Sequence, residues 1–149
     1  MVLNGETLRI KSNKLKGIKE WPCTLKNVKQ LHSMLGVLGY QHPFIPGFAL
    51  LMHPLMCLLK KGVEFTWTDE CTVALDKLIN IVTSDPILWQ PRQQEPFKLE
   101  VDASQVATGA VLWQYDVQGQ QCPIRYDSKT FNEAECNYPI WDREFLAIV

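Results

Sequence analysis

Near Glu95 the spacing of apolar residues changes from helical to alternating, so one type of regular structure cannot serve both halves of the chain. Upstream, Val28, Leu31, Leu35 and Leu38 share one face of a 3.6-residue period. Leu51, Leu55, Leu58 and Leu59 do the same, as do Ala74, Leu75, Leu78, Ile81 and Val82. Downstream, Phe97, Leu99 and Val101 alternate with Lys98, Glu100 and Asp102, which reads as a half-buried strand. Helices followed by strands, rather than interleaved with them, predict an α+β fold. The chain has 149 residues, 46% of them hydrophobic, enough for about one ordered domain.

Local signals set the expected boundaries. Asn4-Gly5 is a hairpin turn between Met1-Val2-Leu3 and Thr7-Leu8-Arg9-Ile10, although a lone hairpin is marginal in water. Trp21-Pro22 breaks any helix formed by the lysine-rich stretch before it. A helix is predicted from Leu25 to Tyr40, capped by Thr24 or Asn27. A second runs from Leu51 to Lys61, with Pro54 in its first turn. Thr68 caps a third, and Asp85-Pro86 stops it. Strands at Ala107–Tyr115 and Pro123–Ser128, with a Gly119 turn between them, complete a three-stranded antiparallel meander. Asn132 and Glu135 make a capped turn, and Pro139 takes the first position of a helix that reaches Val149 without a stop signal.

Charge divides the chain. Residues 1–64 carry nine Lys/Arg against three Asp/Glu, and residues 65–149 carry six against thirteen. A basic front half can hold a polyanion, whereas an acidic back half needs metal ions to do so. No apolar run approaches the roughly 18 residues of a membrane span, and no leader pattern marks the start. Cys23, Cys57, Cys71, Cys122 and Cys136 include no C-x-x-C, so neither a disulfide framework nor a structural zinc site is expected. A reducing intracellular compartment, cytoplasm or nucleus, fits that usage. His32, His42 and His53 lack zinc-hydrolase spacing, and no phosphate loop or nucleophile elbow occurs.

Two carboxylates stand out. Asp102 closes a strand and is followed by small residues that leave room for a ligand. Glu144 lies on the last helix, one turn from Ile140. A sheet-fixed and a helix-borne carboxylate can share a divalent cation if that helix packs face-on. A turn-capping Asp102 and a solvated Glu144 remain the commoner arrangement. Trp21, Tyr40, Phe44 and Phe48 lie near lysines and suit either base stacking or core packing.

The order of short motifs resembles the reverse transcriptase of gypsy-type (Ty3-like) long-terminal-repeat retrotransposons. Trp21-Pro22, Leu35-Gly36, Tyr40, Phe44-Ile45-Pro46 and Leu58-Leu59-Lys60-Lys61-Gly62 resemble its thumb. Phe65-Thr66-Trp67-Thr68 and Pro86-Ile87-Leu88 resemble the linker that follows. Val101-Asp102-Ala103-Ser104, Gly109-Ala110-Val111-Leu112 and Glu144-Phe145-Leu146-Ala147-Ile148-Val149 resemble the opening of its RNase H domain. The resemblance implies a thumb-like region at 1–64, a linker helix at 65–94 and the N-terminal part of an incomplete RNase H-like fold at 95–149. It implies Asp102 and Glu144 as two of four carboxylates around Mg²⁺. It also implies RNA–DNA hybrid, or another nucleic acid, and the remainder of a Pol polyprotein as partners. Lys26, Lys29, Tyr40, Lys60 and Lys61 are the expected nucleic-acid contacts.

Departures from that pattern predict reduced function. Gln41, His42 and Pro43 replace a usual Tyr-Arg-Arg run, which removes phosphate contacts. Asp127 stands in a strand expected to be buried, where an unpaired carboxylate is costly. The chain is therefore expected to be a retroelement relic, inactive as a polymerase and as an isolated ribonuclease. The alternative is a non-catalytic nucleic-acid-binding module retained from a retroelement.

Overall fold

A computed structural model describes residues 2–84 and 86–148, the side chains of residues 2–4, 12 and 13 excepted. The N-terminal hairpin forms as β1 (Val2–Asn4) and β2 (Thr7–Arg9), with Gly5 at φ 58°. It does not stand alone. Strand β3 (Ile87–Trp89) pairs antiparallel with β2, setting Leu8 opposite Leu88. A third strand supplies the partner that a two-stranded hairpin lacks.

The lysine-rich stretch is helical. Helix α1 (Ser12–Lys19) buries Ile18, 1% exposed, and leaves Lys14, Lys16 and Lys19 in solvent. Helix α2 (Val28–Tyr40) starts three residues later than expected, because the Asn27 side chain caps it by accepting the Gln30 N–H at 2.9 Å. Its buried face is Leu31, Met34 and Leu38, while Val28 is 40% exposed, so the stripe is rotated from the predicted one. A 3₁₀ turn, His42–Phe44, then drives Phe44 and Ile45 into the core.

Helix α3 (Phe48–Cys57) begins ahead of Leu51, which puts Pro54 inside the helix rather than in its first turn. Proline cannot donate to the carbonyl of Leu50, and Leu50 lies at the surface, where water can take over. Helix α4 (Asp69–Thr83) is capped as expected, with Thr68 Oγ1 accepting the Cys71 N–H at 3.4 Å. Its stripe of Cys71, Ala74, Leu75, Leu78 and Val82 is buried against α1 and α3. Helices α1 to α4 and Leu88 of β3 share one apolar core. Asp85 and Val149 lie outside the described residues.

The second sheet is the predicted meander, in the order β4 (Lys98–Ala103), β5 (Ala107–Tyr115), β6 (Gln121–Thr130). Asp116 shapes the turn by accepting the N–H groups of Gln118 and Gln120, each at 2.8 Å. Buried Gln114 fixes the approach to β4. Its Nε2 donates to the carbonyls of Arg92 and Glu95, and its Oε1 accepts the Arg92 N–H. β6 packs on α3 and the 3₁₀ turn, which joins the sheet to the helical core.

β4 departs from the expected half-buried strand. Phe97 and Leu99 are 49% and 58% exposed, because no described element covers that end of the strand. The capping box of Asn132 and Glu135 closes a one-turn helix, α5 (Glu133–Cys136). Helix α6 (Ile140–Ile148) packs on β4 and β5, with Pro139 just ahead of it accepting the Arg143 N–H at 3.2 Å. Pro139 thus precedes the first helical position instead of filling it. Among the described residues no helix is long and apolar enough to cross a membrane.

Candidate functional site

The two carboxylates sit on neighbouring elements. Asp102 is exposed near the end of β4, opposite Gly109, and its Oδ1 accepts the Ala103 N–H at 2.9 Å. The turn after it is closed by Ser104, whose Oγ donates to the Ala107 carbonyl at 2.8 Å. Glu144 is exposed on α6. Its neighbour Arg143 donates from Nη1 to the Ser104 carbonyl at 3.2 Å, which ties α6 to the loop behind Asp102. Among the described residues no three His, Cys, Asp or Glu side chains gather as a metal cradle. Two exposed carboxylates, one already engaged with backbone, fall short of the near-octahedral oxygen set that Mg²⁺ demands. The residues present do not fit the ion by themselves.

The expected nucleic-acid contacts are all at the surface: Lys26, Lys29, Lys60 and Lys61 are exposed, and Tyr40 is 61% exposed. On α2, Lys29, Ser33, Gly36 and Tyr40 are spaced by four, three and four residues, so they form one outward stripe. A cation stands at one end, an aromatic ring at the other, and two small residues between. A groove of about 320 Å³ lined by Trp21, Lys29 and Ser33 flanks one part of the stripe. Another of about 480 Å³, lined by Lys11, Lys14, Gly36 and Tyr40, flanks the other. Lys11 and Lys14 were absent from the expected site. Their only sequence signal was a basic run, and it took helix α1 to lay them beside α2. Of the four aromatic candidates, Phe44 is core, 1% exposed, Phe48 stacks on His42 at 4.8 Å, and Trp21 packs on the core.

The departures at residues 41–43 and 127 meet across the junction between helices and sheet. His42 Nε2 lies 3.2 Å from Ser128 Oγ and 3.6 Å from Asp127 Oδ1. Ser128 Oγ also accepts the Ala49 N–H at 2.9 Å, so one hydroxyl links β6 to α3 and to the 3₁₀ turn. The expectation of a buried, unpaired Asp127 is wrong. Its side chain is 58% exposed and lies 3.7 Å from Arg125. β6 turns this residue outward, so it keeps its hydration.

Burial pushes the His42 imidazole below its usual value; Asp127 opposes that and Arg125 adds to it. Between the lowered folded value and the unfolded value of about 6.5, the unfolded chain binds more protons. The contribution of His42 to stability is therefore complete above pH 6.5 and is lost as pH falls through the folded value. In a series of thermal midpoints from pH 8 to pH 5, His42→Gln should flatten the acid-side decline. A parallel decline in both proteins would rule out this role for His42.

Comparison with known proteins adds an independent line. A family model described as "RNase H-like domain found in reverse transcriptase" matches residues 67–149, which includes α4 as well as the sheet. The Tf2-3 and Tf2-4 transposon polyproteins of Schizosaccharomyces pombe are 40% identical over 124 residues, covering 83% of this chain and 9% of each polyprotein. Among solved structures, a foamy viral protease-reverse transcriptase in complex with dsDNA aligns with a TM-score of 0.76 at 23% identity. That alignment covers 93% of this chain and 29% of the viral one. The same viral protein in complex with an RNA/DNA hybrid gives 0.74, also at 23% identity, covering 93% of this chain and 19% of the other. At that identity the likeness is one of fold.

Proposed function

From its membership of the RNase H-like domain family found in reverse transcriptase, to which this chain belongs, we propose that it grips a nucleic-acid duplex with α2 and presents part of a hybrid-cleaving site on β4 and α6. It is related to gypsy-type retrotransposon Pol polyproteins and spans 9% of the length of the curated relatives it matches. In this reading residues 1–64 are thumb-like, 65–94 a linker and 95–149 the N-terminal part of the RNase H-like domain. An RNA–DNA hybrid is the partner, the rest of a polyprotein works beside it, and the compartment is one that holds nucleic acid, cytoplasm or nucleus.

The observation that carries the proposal is the α2 stripe. Small residues at Ser33 and Gly36 let a sugar–phosphate backbone approach, Lys29 with Lys11 and Lys14 neutralises phosphates, and Tyr40 offers a ring. Between residues 7 and 63 the only acidic residue is Glu20, so little repels a polyanion there. Fluorescence anisotropy with a labelled RNA–DNA hybrid tests this: affinity should fall steeply as salt rises. Absent or salt-independent binding would refute it.

Asp102 and Glu144 are proposed as two members of a Mg²⁺-dependent site, which they do not complete by themselves, since among the described residues no three possible ligands gather. The chain alone is therefore expected to leave a hybrid intact in Mg²⁺. Cleavage that disappears with Asp102→Asn would overturn that expectation.

A further inference from the structure

We propose, on the reading that α2 grips the duplex and Asp102 belongs to the cleaving site, that Ser128 is a positioning residue which fixes α2 relative to Asp102. Helix α3 starts after Gly47, which has no side chain to satisfy the first N–H groups of the helix. Ser128 does so from the sheet, its Oγ accepting the Ala49 N–H at 2.9 Å. The same oxygen lies 3.2 Å from His42 Nε2, and the His42 ring stacks on Phe48 at 4.8 Å. One half-buried hydroxyl therefore caps α3 and holds the 3₁₀ turn that leaves α2, with His42 just two residues beyond Tyr40.

The sheet carries that hold across to the carboxylate. Ser128 faces Gly109 of β5, and Gly109 faces Asp102 of β4, so the three share one rung. Residues directly opposite on antiparallel strands point to the same face, and two strand spacings put Asp102 roughly 10 Å from Ser128. Gly109 adds no side chain between them, and nothing stands within 4 Å of where one would project. From the grip to the carboxylate the hydrogen-bonded route is thus His42, Ser128, Gly109, Asp102.

Tyr126, two residues before Ser128, also packs on the helical core, but an apolar contact has no preferred direction. A hydrogen bond has one, so the hydroxyl fixes an orientation that the ring leaves free to slide. That orientation matters for cleavage. A site must hold its groups to about 0.5 Å, and phosphates follow one another along a strand at roughly 3.4 Å. A slack joint would bring Asp102 to the wrong phosphate. Asp127 is the competing anchor, 3.6 Å from the same His42 nitrogen. Its side chain is 58% exposed and shared with Arg125, so water screens its hold on His42.

Pulsed electron spin resonance on the whole chain tests this, with spin labels at His32 on α2 and Lys98 on β4, both exposed, and Cys23, Cys57 and Cys136 changed to serine. The native joint should give one narrow distance. S128A should widen the distribution at least about twofold, and S128T, which returns the hydroxyl, should restore it. H42F keeps the ring on Phe48 but removes the nitrogen, and should widen it equally. D127A should leave it unchanged. Circular dichroism checks folding; should S128A unfold, H42F and D127A decide the same question. Unchanged width in S128A or H42F overturns the proposal, as does a defect that S128T fails to repair or an equal defect in D127A. Hybrid affinity in S128A should stay within about threefold of native. A loss as deep as that from reversing Lys11, Lys14 and Lys29 would place Ser128 in the grip and overturn the positioning role. A native chain that binds no hybrid sinks the grip reading and this role with it, whereas binding without the widening sinks this role alone.

Discussion

Reversing Lys11, Lys14 and Lys29 to glutamate is expected to lower hybrid affinity at low salt on the order of 100-fold. The slope of log affinity against log salt should become shallower by about 3, since each phosphate contact contributes roughly 0.9 to that slope. The three side chains are exposed and line the two grooves beside α2, so their loss removes charge from the interface without touching the core. Each substitution should alter stability by no more than about 0.5 kcal/mol. Anisotropy titrations from 50 to 300 mM salt, with circular dichroism as a fold control, measure both quantities. An unchanged slope would mean that the polyanion lies elsewhere, with Lys60 and Lys61 as the next cations to reverse. Tyr40→Ala should weaken binding nearly uniformly across salt, because stacking releases no counterions.

The second large effect concerns the fold. Phe44→Ala is expected to cost about 3–5 kcal/mol, which is much of the roughly 5–15 kcal/mol by which a domain is stable. Phe44 is 1% exposed at the heart of the core shared by α1 to α4, and it is carried there by a 3₁₀ turn that cannot easily shift to refill a cavity. The thermal midpoint should fall by roughly 10 °C or more. Phe44→Leu keeps most of the volume and should lose less than about 1.5 kcal/mol. Urea unfolding of the three proteins orders them. A loss below about 1 kcal/mol for the alanine variant would show that this turn is peripheral to the core.

How far these expectations could be read before any coordinates differs from element to element. Thr68, Asn27 and the Asn132–Glu135 pair cap helices as their local spacing indicated, because a cap involves residues only two or three positions apart. The strand and turn pattern from Lys98 to Thr130 was readable for the same reason, since a meander pairs neighbours in sequence. Of the proposed nucleic-acid contacts, Tyr40, Lys60 and Lys61 fall within the resembling motifs, and Lys26 and Lys29 come from the basic balance of the front half. The arrangement of Lys29 and Tyr40 as an α2 stripe beside Lys11 and Lys14 was not readable, because α1 carries no apolar repeat long enough to announce it.

The amino-acid order alone therefore settled the α+β character, most element positions and the meander, all through interactions that reach one helical turn or one strand repeat. The tertiary structure decided the rest. Leu8 and Leu88 pair across 80 residues, His42 meets Ser128 across 86, and Phe97 and Leu99 stay exposed although their alternation marked them as inward-facing. Burial depends on what arrives from distant parts of the chain, and a local period states only which side chains would welcome a cover.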